Sequence, residues 1–260
     1  MKETKMILMD FSGIYQKETF YKQTDTYLVD CRKIQGTNCY CDEEAKQALR
    51  ERVGSFGPAG VRFLDSGNYH YASLLWMEQI NEPFELLVFD HHTDMKQPAF
   101  GDILSCGGWI RAALETCENL KRVYLAGPPL KAVEDDKRED SEPWERVVWI
   151  SEEDLKGQGN VLEQQLKGSE LPLYISVDKD ILSPEDARTN WDQGELGLEE
   201  LLCHLKQAAS LRRIIGADVC GEDPEGAESD EGGTGIRIND RTNRHLAEVL
   251  GEHINCIIDV

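Results

Sequence analysis

The stretch ELLVFDHHTDM, residues 85–95, joins a short apolar run to two histidines that stand between two aspartates. A run of this length and composition is typical of a strand that is buried on both faces of a parallel sheet. Just beyond it, Asp90, His92 and Asp94 follow one another at positions i, i+2 and i+4. An extended backbone points alternate side chains the same way. We therefore expect these three side chains to converge at the end of the strand.

Two further segments place polar side chains of the same kind at the ends of apolar runs. LYISVDKDIL, residues 173–182, has Asp178 and Asp180 on one side of an extended chain, with the lysine between them turned away. RFLDSGNYHYAS supplies His70 after a strand-like run and a turn. Four carboxylates at the ends of buried strands would repel one another and raise their own pKa values unless cations neutralise them. The three segments together favour a metal site.

The candidate ligands are two histidines and four aspartates: His70, Asp90, His92, Asp94, Asp178 and Asp180. This mixed set of nitrogen and oxygen donors suits Mn²⁺ or another borderline first-row ion better than it suits a cysteine-rich zinc site. Shared carboxylates could hold two ions roughly 3.5–4 Å apart, a spacing at which both polarise one water. Taken singly, an aspartate after a strand is often a helix N-cap, and a lone histidine is often a hydrogen-bonded polar residue.

Strand-like runs alternate with helical segments along the chain. The strand-like runs are residues 5–11, 26–32, 61–66, 85–90, 122–127, 146–150, 172–178, 213–219 and 255–260. Among the helical segments, residues 151–167 begin with Ser151 as an N-cap, while residues 196–211 and 240–254 place leucines on one stripe. The alternation predicts one α/β domain over residues 1–260, with three α/β/α layers and a mostly parallel central sheet.

Two acidic, turn-rich segments interrupt this alternation: EDDKREDSEPWE, residues 134–145, and GEDPEGAESDEGGTG, residues 221–235. Both stand between a strand and the next element of the same pattern, so we expect surface loops and not domain linkers. The second begins just past the carboxyl end of a strand. Ligands bind at that end of the strands in open α/β sheets.

Composition and charge narrow the classes of function. The 260 residues are 40% hydrophobic and 30% charged, as in an ordinary soluble globule. No apolar segment has the length of a signal peptide or a membrane span, so we expect a cytoplasmic protein without a membrane partner. A net charge of −21 repels nucleic acid and raises the local concentration of cations. Solubility alone accounts for most of this charge, and attraction of a small cationic substrate or of divalent metals is the functional alternative. The eight scattered cysteines indicate reduced thiols.

The motifs resemble those of the ureohydrolase superfamily, the arginase and agmatinase group. The family's segments Gly-Gly-Asp-His, Asp-x-His-x-Asp and Ser-x-Asp-x-Asp correspond, in order, to GNYH (67–70), DHHTD (90–94) and SVDKD (176–180). Tyr69 replaces the usual aspartate of the first segment. The resemblance implies an arginase-like fold over nearly the whole chain.

The resemblance also implies a centre of two Mn²⁺ ions. One ion would be bound by His70, Asp90, Asp94 and Asp178. The other would be bound by Asp90, His92, Asp178 and Asp180, so that Asp90 and Asp178 are the bridges. Asp94 would also orient a hydroxide that bridges the ions toward a planar guanidinium carbon. The implied activity is hydrolysis of a non-peptide C–N bond in a guanidino or amidine compound, with His91 left as a packing or supporting residue.

Outside the ligand set the chain departs from the family pattern. DILSCGGWIRA, residues 102–112, lacks the histidine that helps to shuttle protons in arginases, and Ser183 precedes Pro184 where the family usually has Asp-Pro. Gly221 aligns with a glutamate that pairs with the guanidinium, and Glu222 follows one place later. We therefore take Glu222, in addition to Asp94, as a candidate catalytic residue.

Other assignments stay open. The candidates for binding a cationic group are Glu222, Asp223, Asp192 and Glu195, and each could equally be a solvated loop residue. The missing histidine and the displaced glutamate also fit a family member that binds metal without hydrolysing anything. Phosphoesterases named for the Asp-His-His tripeptide need an upstream His-x-Asp-x-Asp motif, yet residues 1–69 contain no histidine. A histone deacetylase-like mononuclear zinc site would not use six ligands. Family members often form homo-oligomers, and nothing in the sequence marks an interface.

Overall fold

Parallel strands dominate the computed structural model, which describes residues 5–98, 100–156, 160–230 and 232–254. The strands within those ranges are β1 Met6–Asp10, β2 Thr26–Asp30, β3 Tyr40–Cys41, β4 Val61–Phe63, β5 Phe84–Phe89, β6 Leu104–Ser105, β7 Leu120–Gly127, β8 Val147–Ser151, β9 Leu173–Asp178 and β10 Ile214–Cys220. Eight of them form one sheet in the order β2-β1-β4-β10-β9-β5-β7-β8, and every pairing in it is parallel.

The strand predictions are confirmed for eight of the nine runs, each of which overlaps a strand of this sheet. The ninth run, residues 255–260, lies outside the described residues. The prediction missed the antiparallel pair of β3 and β6, in which Tyr40 stands opposite Ser105. Two-residue strands are too short to show the alternation by which a strand is predicted.

Helices follow most of the strands. In the described residues they are α1 Glu43–Val53, α2 Ala72–Met77, α3 Trp109–Thr116, α4 Leu130–Glu139, α5 Glu152–Lys156, α6 Val161–Leu166, α7 Leu198–Leu211, α8 Pro224–Ser229 and α9 Thr234–His253. Ser151 caps α5 as expected, since its Oγ accepts a hydrogen bond from the Asp154 N–H at 3.2 Å. The leucine stripe predicted for residues 196–211 forms the buried face of α7.

One helix prediction and two loop predictions need correction. Residues 151–167 form two helices, α5 and α6, rather than one. The predicted acidic loop 134–145 includes the second part of α4, and the predicted loop 221–235 contains α8. Both helices are short and strongly polar, so neither shows the apolar periodicity that marks a helix in sequence. Their starts are nevertheless specified, since α4 follows Pro129 and α8 is capped by Asp223, whose Oδ1 accepts from the Gly226 N–H at 2.8 Å.

The core is divided between the two faces of the sheet. Side chains of β5 alternate, so that Leu86 and Val88 join one buried cluster while Leu87 and Phe89 join the other. The first cluster packs against α1 to α3, and the second against α5 to α7 and α9. This arrangement confirms the predicted three-layer α/β/α architecture and explains why the strands are apolar on both sides.

Three neighbouring strands end beside one another and define the edge where polar side chains collect. Cys220 at the end of β10 pairs with Asp178 at the end of β9, and Phe89 at the end of β5 pairs with Val177. In open parallel sheets this carboxyl edge is where ligands bind. Across the described ranges, no helix combines the length and apolarity that crossing a bilayer requires.

Gly127, the last residue of β7, provides a test of how tightly this edge is packed. It has φ +124°, and a Cβ added there would lie 2.2 Å from the carbonyl oxygen of Asp90. We expect Gly127→Ala to lower the free energy of unfolding by about 2–4 kcal/mol, because the strained backbone and the overlap add together. Urea denaturation followed by circular dichroism measures the loss.

Gly57→Ala is the matched control, since Gly57 has φ +72° but no atom within 4 Å of the added Cβ. It should cost about 1–2 kcal/mol, the strain of the left-handed backbone alone. Equal losses in the two variants would show that the contact with Asp90 is unimportant.

Candidate metal centre

The first group of predicted ligands surrounds the Nδ1 atom of His70. This atom lies 3.2 Å from Asp90 Oδ2, 3.1 Å from Asp94 Oδ2 and 3.6 Å from Asp178 Oδ2. All four side chains are buried. The structure thus brings together the four residues expected around one ion, although they come from three separate segments of the chain.

The second group adjoins the first and shares Asp90 with it. His92 Nδ1 lies 2.8 Å from Asp180 Oδ2 and 3.6 Å from Asp90 Oδ1. Asp90 therefore presents one oxygen to each histidine. All six predicted ligands meet at this edge, and the assignment of each to a particular ion stays a prediction.

The backbone that brings the ligands together differs from the extended chain expected from their spacing. β5 ends at Phe89, and Asp94 has φ +50°, in the left-handed region. Asp178 ends β9 and caps a one-turn 3₁₀ helix, since its Oδ1 accepts from the Asp180 N–H at 3.0 Å. The expectation of two straight strand extensions was wrong. Turns bring the side chains together instead.

Hydrogen bonds from the surrounding chain fix two of the carboxylates. The Trp109 indole donates to Asp94 Oδ2 at 2.6 Å, and the backbone N–H of His91 donates to Asp180 Oδ1 at 2.9 Å. Each carboxylate is thereby held in one orientation, with Asp94 Oδ2 facing His70 and Asp180 Oδ2 facing His92. His91 supports the site through its backbone, in agreement with the supporting place expected for it.

A chain of hydrogen bonds orients the ring of His70. Ser176 Oγ donates to Asp218 Oδ1 at 2.6 Å, and His70 Nε2 lies 2.8 Å from the same Oγ. Since the serine proton is directed toward Asp218, Nε2 donates to Ser176, and Nδ1 is the ring nitrogen left to face the carboxylates or a cation. Such a partner on the far ring nitrogen is the usual way in which a metal-binding histidine is oriented.

Two buried atoms of the cluster test whether a metal fits. In the described part of the chain, neither His70 Nδ1 nor Asp90 Oδ2 has a hydrogen-bond partner. A buried polar atom left unpaired costs about 1–3 kcal/mol. A divalent cation between these atoms would satisfy both, and nitrogen with carboxylate oxygen is a suitable donor set. The residues therefore fit a metal ion.

The pKa values of the metal-free cluster show how strongly the carboxylates interact. Burial, with the charge of Asp90, raises the pKa of Asp94 to about 7. Burial also raises the pKa of Asp178, and it raises that of Asp180 well above its ordinary value. Burial opposes charge on His92, but the hydrogen bonds and charges of Asp180 and Asp90 together outweigh it and raise the imidazole pKa to about 12. In the metal-free protein, bound protons therefore reduce the repulsion between the carboxylates, as cations would do in the metal-bound protein.

A cleft of about 730 Å³ opens over the two groups. Its floor includes Asp90, His92 and Asp178, and one wall is Asp135, Asp136 and Glu139 of α4. Trp191 and Asp192 form part of the rim, and Asp192 Oδ1 lies 2.9 Å from His92 Nε2. The cleft is large enough for a small ligand to reach the candidate ligands.

Glu222 lies away from this cleft. It is buried, pairs with Lys179, and accepts hydrogen bonds from Asn243 at 2.7 Å and Asn239 at 2.8 Å. It lines a different cavity of about 300 Å³. The catalytic role predicted for Glu222 stays a prediction, and its contacts are those of a buried structural ion pair.

The remaining candidates for binding a cationic group lie in different places. Asp192 is at the rim of the cleft, as expected for such a role. Asp223 caps α8 and lines the second cavity, whereas Glu195 is exposed and pairs with Lys156 at 3.0 Å. Only Asp192 of the three lies within reach of the metal cluster.

Sequence reasoning missed three side chains that touch the ligands, Trp109, Ser176 and Cys220, and also Asp218, which accepts a hydrogen bond from Ser176. Cys220 Sγ lies 3.1 Å from Asp178 Oδ2, and His70, Asp178 and Cys220 form a third group that could hold an ion. These contacts depend on the order of strands in the sheet, which spacing along one chain does not reveal. Ser176 was visible only as the first residue of the third motif.

Comparisons with known proteins agree with this geometry. Residues 11–253 match the family model described as "Arginase family". An uncharacterized protein of Thermotoga maritima is 32% identical over 215 residues, which are 83% of this chain and 78% of the relative.

Solved structures share the fold at low sequence identity. Proclavaminate amidino hydrolase from Streptomyces clavuligerus has TM-score 0.67 and 13% identity, covering 96% of this chain and 92% of its own. Trypanosoma cruzi formiminoglutamase with Mn²⁺ has TM-score 0.66 and 15% identity, covering 98% and 95%. Arginase from Bacillus caldovelox has TM-score 0.63 and 16% identity, covering 94% and 98%. They are similar to this chain in fold.

Removal of the hydroxyl that orients His70 should weaken metal binding. We expect Ser176→Ala to reduce Mn²⁺ affinity about 10- to 100-fold, the usual effect of losing a partner of a ligating histidine. Isothermal titration calorimetry measures the affinity. Ser105→Ala, in the same cleft but away from His70, should bind as the unaltered protein does. Unchanged affinity in Ser176→Ala would mean that His70 is oriented by packing alone.

Metal affinity should rise with pH. Asp94, with its pKa of about 7, must lose a proton before it binds a cation, so affinity should increase from about pH 6 to about pH 8. Because the folded-state pKa is raised, the metal-free protein should lose stability as pH rises from about 4 to about 7. The rise in Tm caused by Mn²⁺ should therefore grow over that range. A Tm shift independent of pH would argue against a titrating Asp94.

Proposed function

The chain belongs to the arginase family, and we propose that it is a hydrolase with two divalent metal ions, Mn²⁺ or another first-row ion. Its proposed reaction is cleavage of a non-peptide C–N bond in a linear guanidino or amidine compound. One observation carries the proposal: two adjoining His and Asp groups share Asp90 at the floor of an open cleft. An amidino hydrolase, an arginase and a formiminoglutamase with Mn²⁺ among the similar structures support this choice.

The six candidate ligands and the residues around them would have different roles in such a reaction. Two bound divalent ions would supply a hydroxide nucleophile by lowering the pKa of a shared water. Asp94 is the residue placed to orient the attacking water, because Trp109 holds its carboxylate against the floor of the cleft.

The cleft favours a positively charged substrate. Three carboxylates of α4, Asp135, Asp136 and Glu139, face the cleft together with Asp192 at its rim, against one cation, Lys96, among the lining residues. A cleft lined by one sign of charge raises the local concentration of ligands of the opposite sign. A guanidinium or amidinium group would be drawn toward the metal ligands.

The second candidate function is metal binding without hydrolysis. Ser105, Cys106 and Gly107 line the cleft where the family pattern would place a proton-shuttling histidine. Glu222, the nearest glutamate to the expected guanidinium partner, pairs instead with Lys179. Both observations concern groups other than the metal ligands, so turnover decides between the two functions.

An assay over a panel of guanidino, formimino and amidine compounds tests the proposal. In the presence of Mn²⁺ we expect release of urea, ammonia or formamide from at least one of them. Asp178→Ala should lose both turnover and metal, because it removes a charge from the buried ligand set. Elemental analysis counts the ions, and Asp25→Ala, an exposed aspartate, should keep both properties.

The outcomes separate the candidate functions. Two ions per chain with no product from any compound would favour the binding function. Two ions retained in Asp178→Ala would refute Asp178 as a bridge.

A further inference from the structure

Cys220 lies beside the candidate metal ligands, although the three family motifs do not include it. It is the last residue of β10, 1% exposed, and its Cα pairs across the sheet with that of Asp178. Its Sγ lies 3.1 Å from Asp178 Oδ2. The sulfur therefore faces a candidate ligand directly.

The donor atoms of His70, Asp178 and Cys220 all lie within 4.8 Å of one another, as do those of the two His and Asp groups. Zinc binds nitrogen and oxygen at about 2.0–2.2 Å and sulfur at about 2.3 Å, so two atoms that share an ion can be up to about 4.5 Å apart. The third group is thus close to the size that one ion requires. His70 Nδ1, which has no hydrogen-bond partner in the described residues, lies 3.6 Å from the same Asp178 Oδ2.

The residue after Cys220 is a glycine, so no second side chain enters the space beside Asp178. Gly221 has φ +97°, and a Cβ there would lie 2.6 Å from Asp178 Oδ1. A side chain at this position, where the family pattern has a glutamate, would collide with the carboxylate. Cys31, equally buried, belongs to none of the three groups. Burial alone therefore does not place a cysteine among ligands in this fold.

On these observations, and given the proposed metal centre, we propose that Cys220 is a sulfur ligand of the ion held by His70 and Asp178. On binding, a sulfur–metal bond forms and the thiol proton leaves to solvent. Thiolate is a soft ligand that favours Zn²⁺ and Co²⁺ over Mn²⁺. The centre would therefore select softer ions than its four aspartates alone predict.

Cobalt provides a direct test, since a thiolate bound to Co²⁺ gives a charge-transfer absorption in the near ultraviolet. Titration of the metal-free protein with Co²⁺ should produce this band in the unaltered protein and in Cys31→Ser, the matched control. Cys220→Ser should bind Co²⁺ without the band. Competition between the two metals should show that the preference of this variant for Zn²⁺ over Mn²⁺ falls by at least about 10- to 100-fold. Metal affinity falls by that much when only a hydrogen-bond partner of a ligand is removed, and loss of a ligand should cost no less.

X-ray absorption at the zinc edge of the unaltered protein makes the test independent of how well a variant folds. We expect one sulfur neighbour at about 2.3 Å. Cobalt binding without the band, or a zinc shell of nitrogen and oxygen only, would overturn the role of Cys220 and leave the proposed hydrolase intact. Failure to bind cobalt or zinc at all would overturn both.

Discussion

Repulsion among four buried carboxylates is the constraint on which the carboxyl edge of this protein depends. Asp90, Asp94, Asp178 and Asp180 are all nearly excluded from water, and three of them have raised pKa values in the metal-free protein. Such a cluster is stable only with counter-charge. His70 and His92 provide part of it. Divalent cations would provide the rest. The same residues would then determine both the stability of the fold and its metal affinity.

Much of the fold could be predicted from the sequence because burial on both faces leaves a plain signal. Runs such as residues 85–89 are apolar throughout, and the structure places alternate side chains of that strand in two separate clusters. The leucine stripe of α7 was visible for the same reason. The helices α4 and α8 were not predicted, since few of their side chains are buried and their sequences lack periodicity.

The residues of the site could be predicted from the sequence, but the geometry that brings them together could not. The spacing of Asp90, His92 and Asp94 suggested a straight strand, whereas a left-handed residue and a 3₁₀ turn bring the carboxylates together. Contacts such as those of Asp218 and Cys220 arise because β10 lies beside β9, although the two are separated by a helix in the chain. A single sequence shows spacing within a segment. It does not show which strands become neighbours.

Lys179 shows how the edge keeps two charged regions apart. It stands between two metal-ligand candidates in the chain, yet its amine points to Glu222 and Asn243 on the other side. A buried lysine without such partners would be costly, and so would a buried Glu222. Each neutralises the other, so that Glu222 contributes little field to the metal cleft. The acidic character of the cleft then comes from the ligands themselves and from α4, whose carboxylates stay in contact with solvent. In the proposed function, the carboxylates of α4 and the rim would attract a cationic substrate, while the buried aspartates would balance the charge of the metal ions.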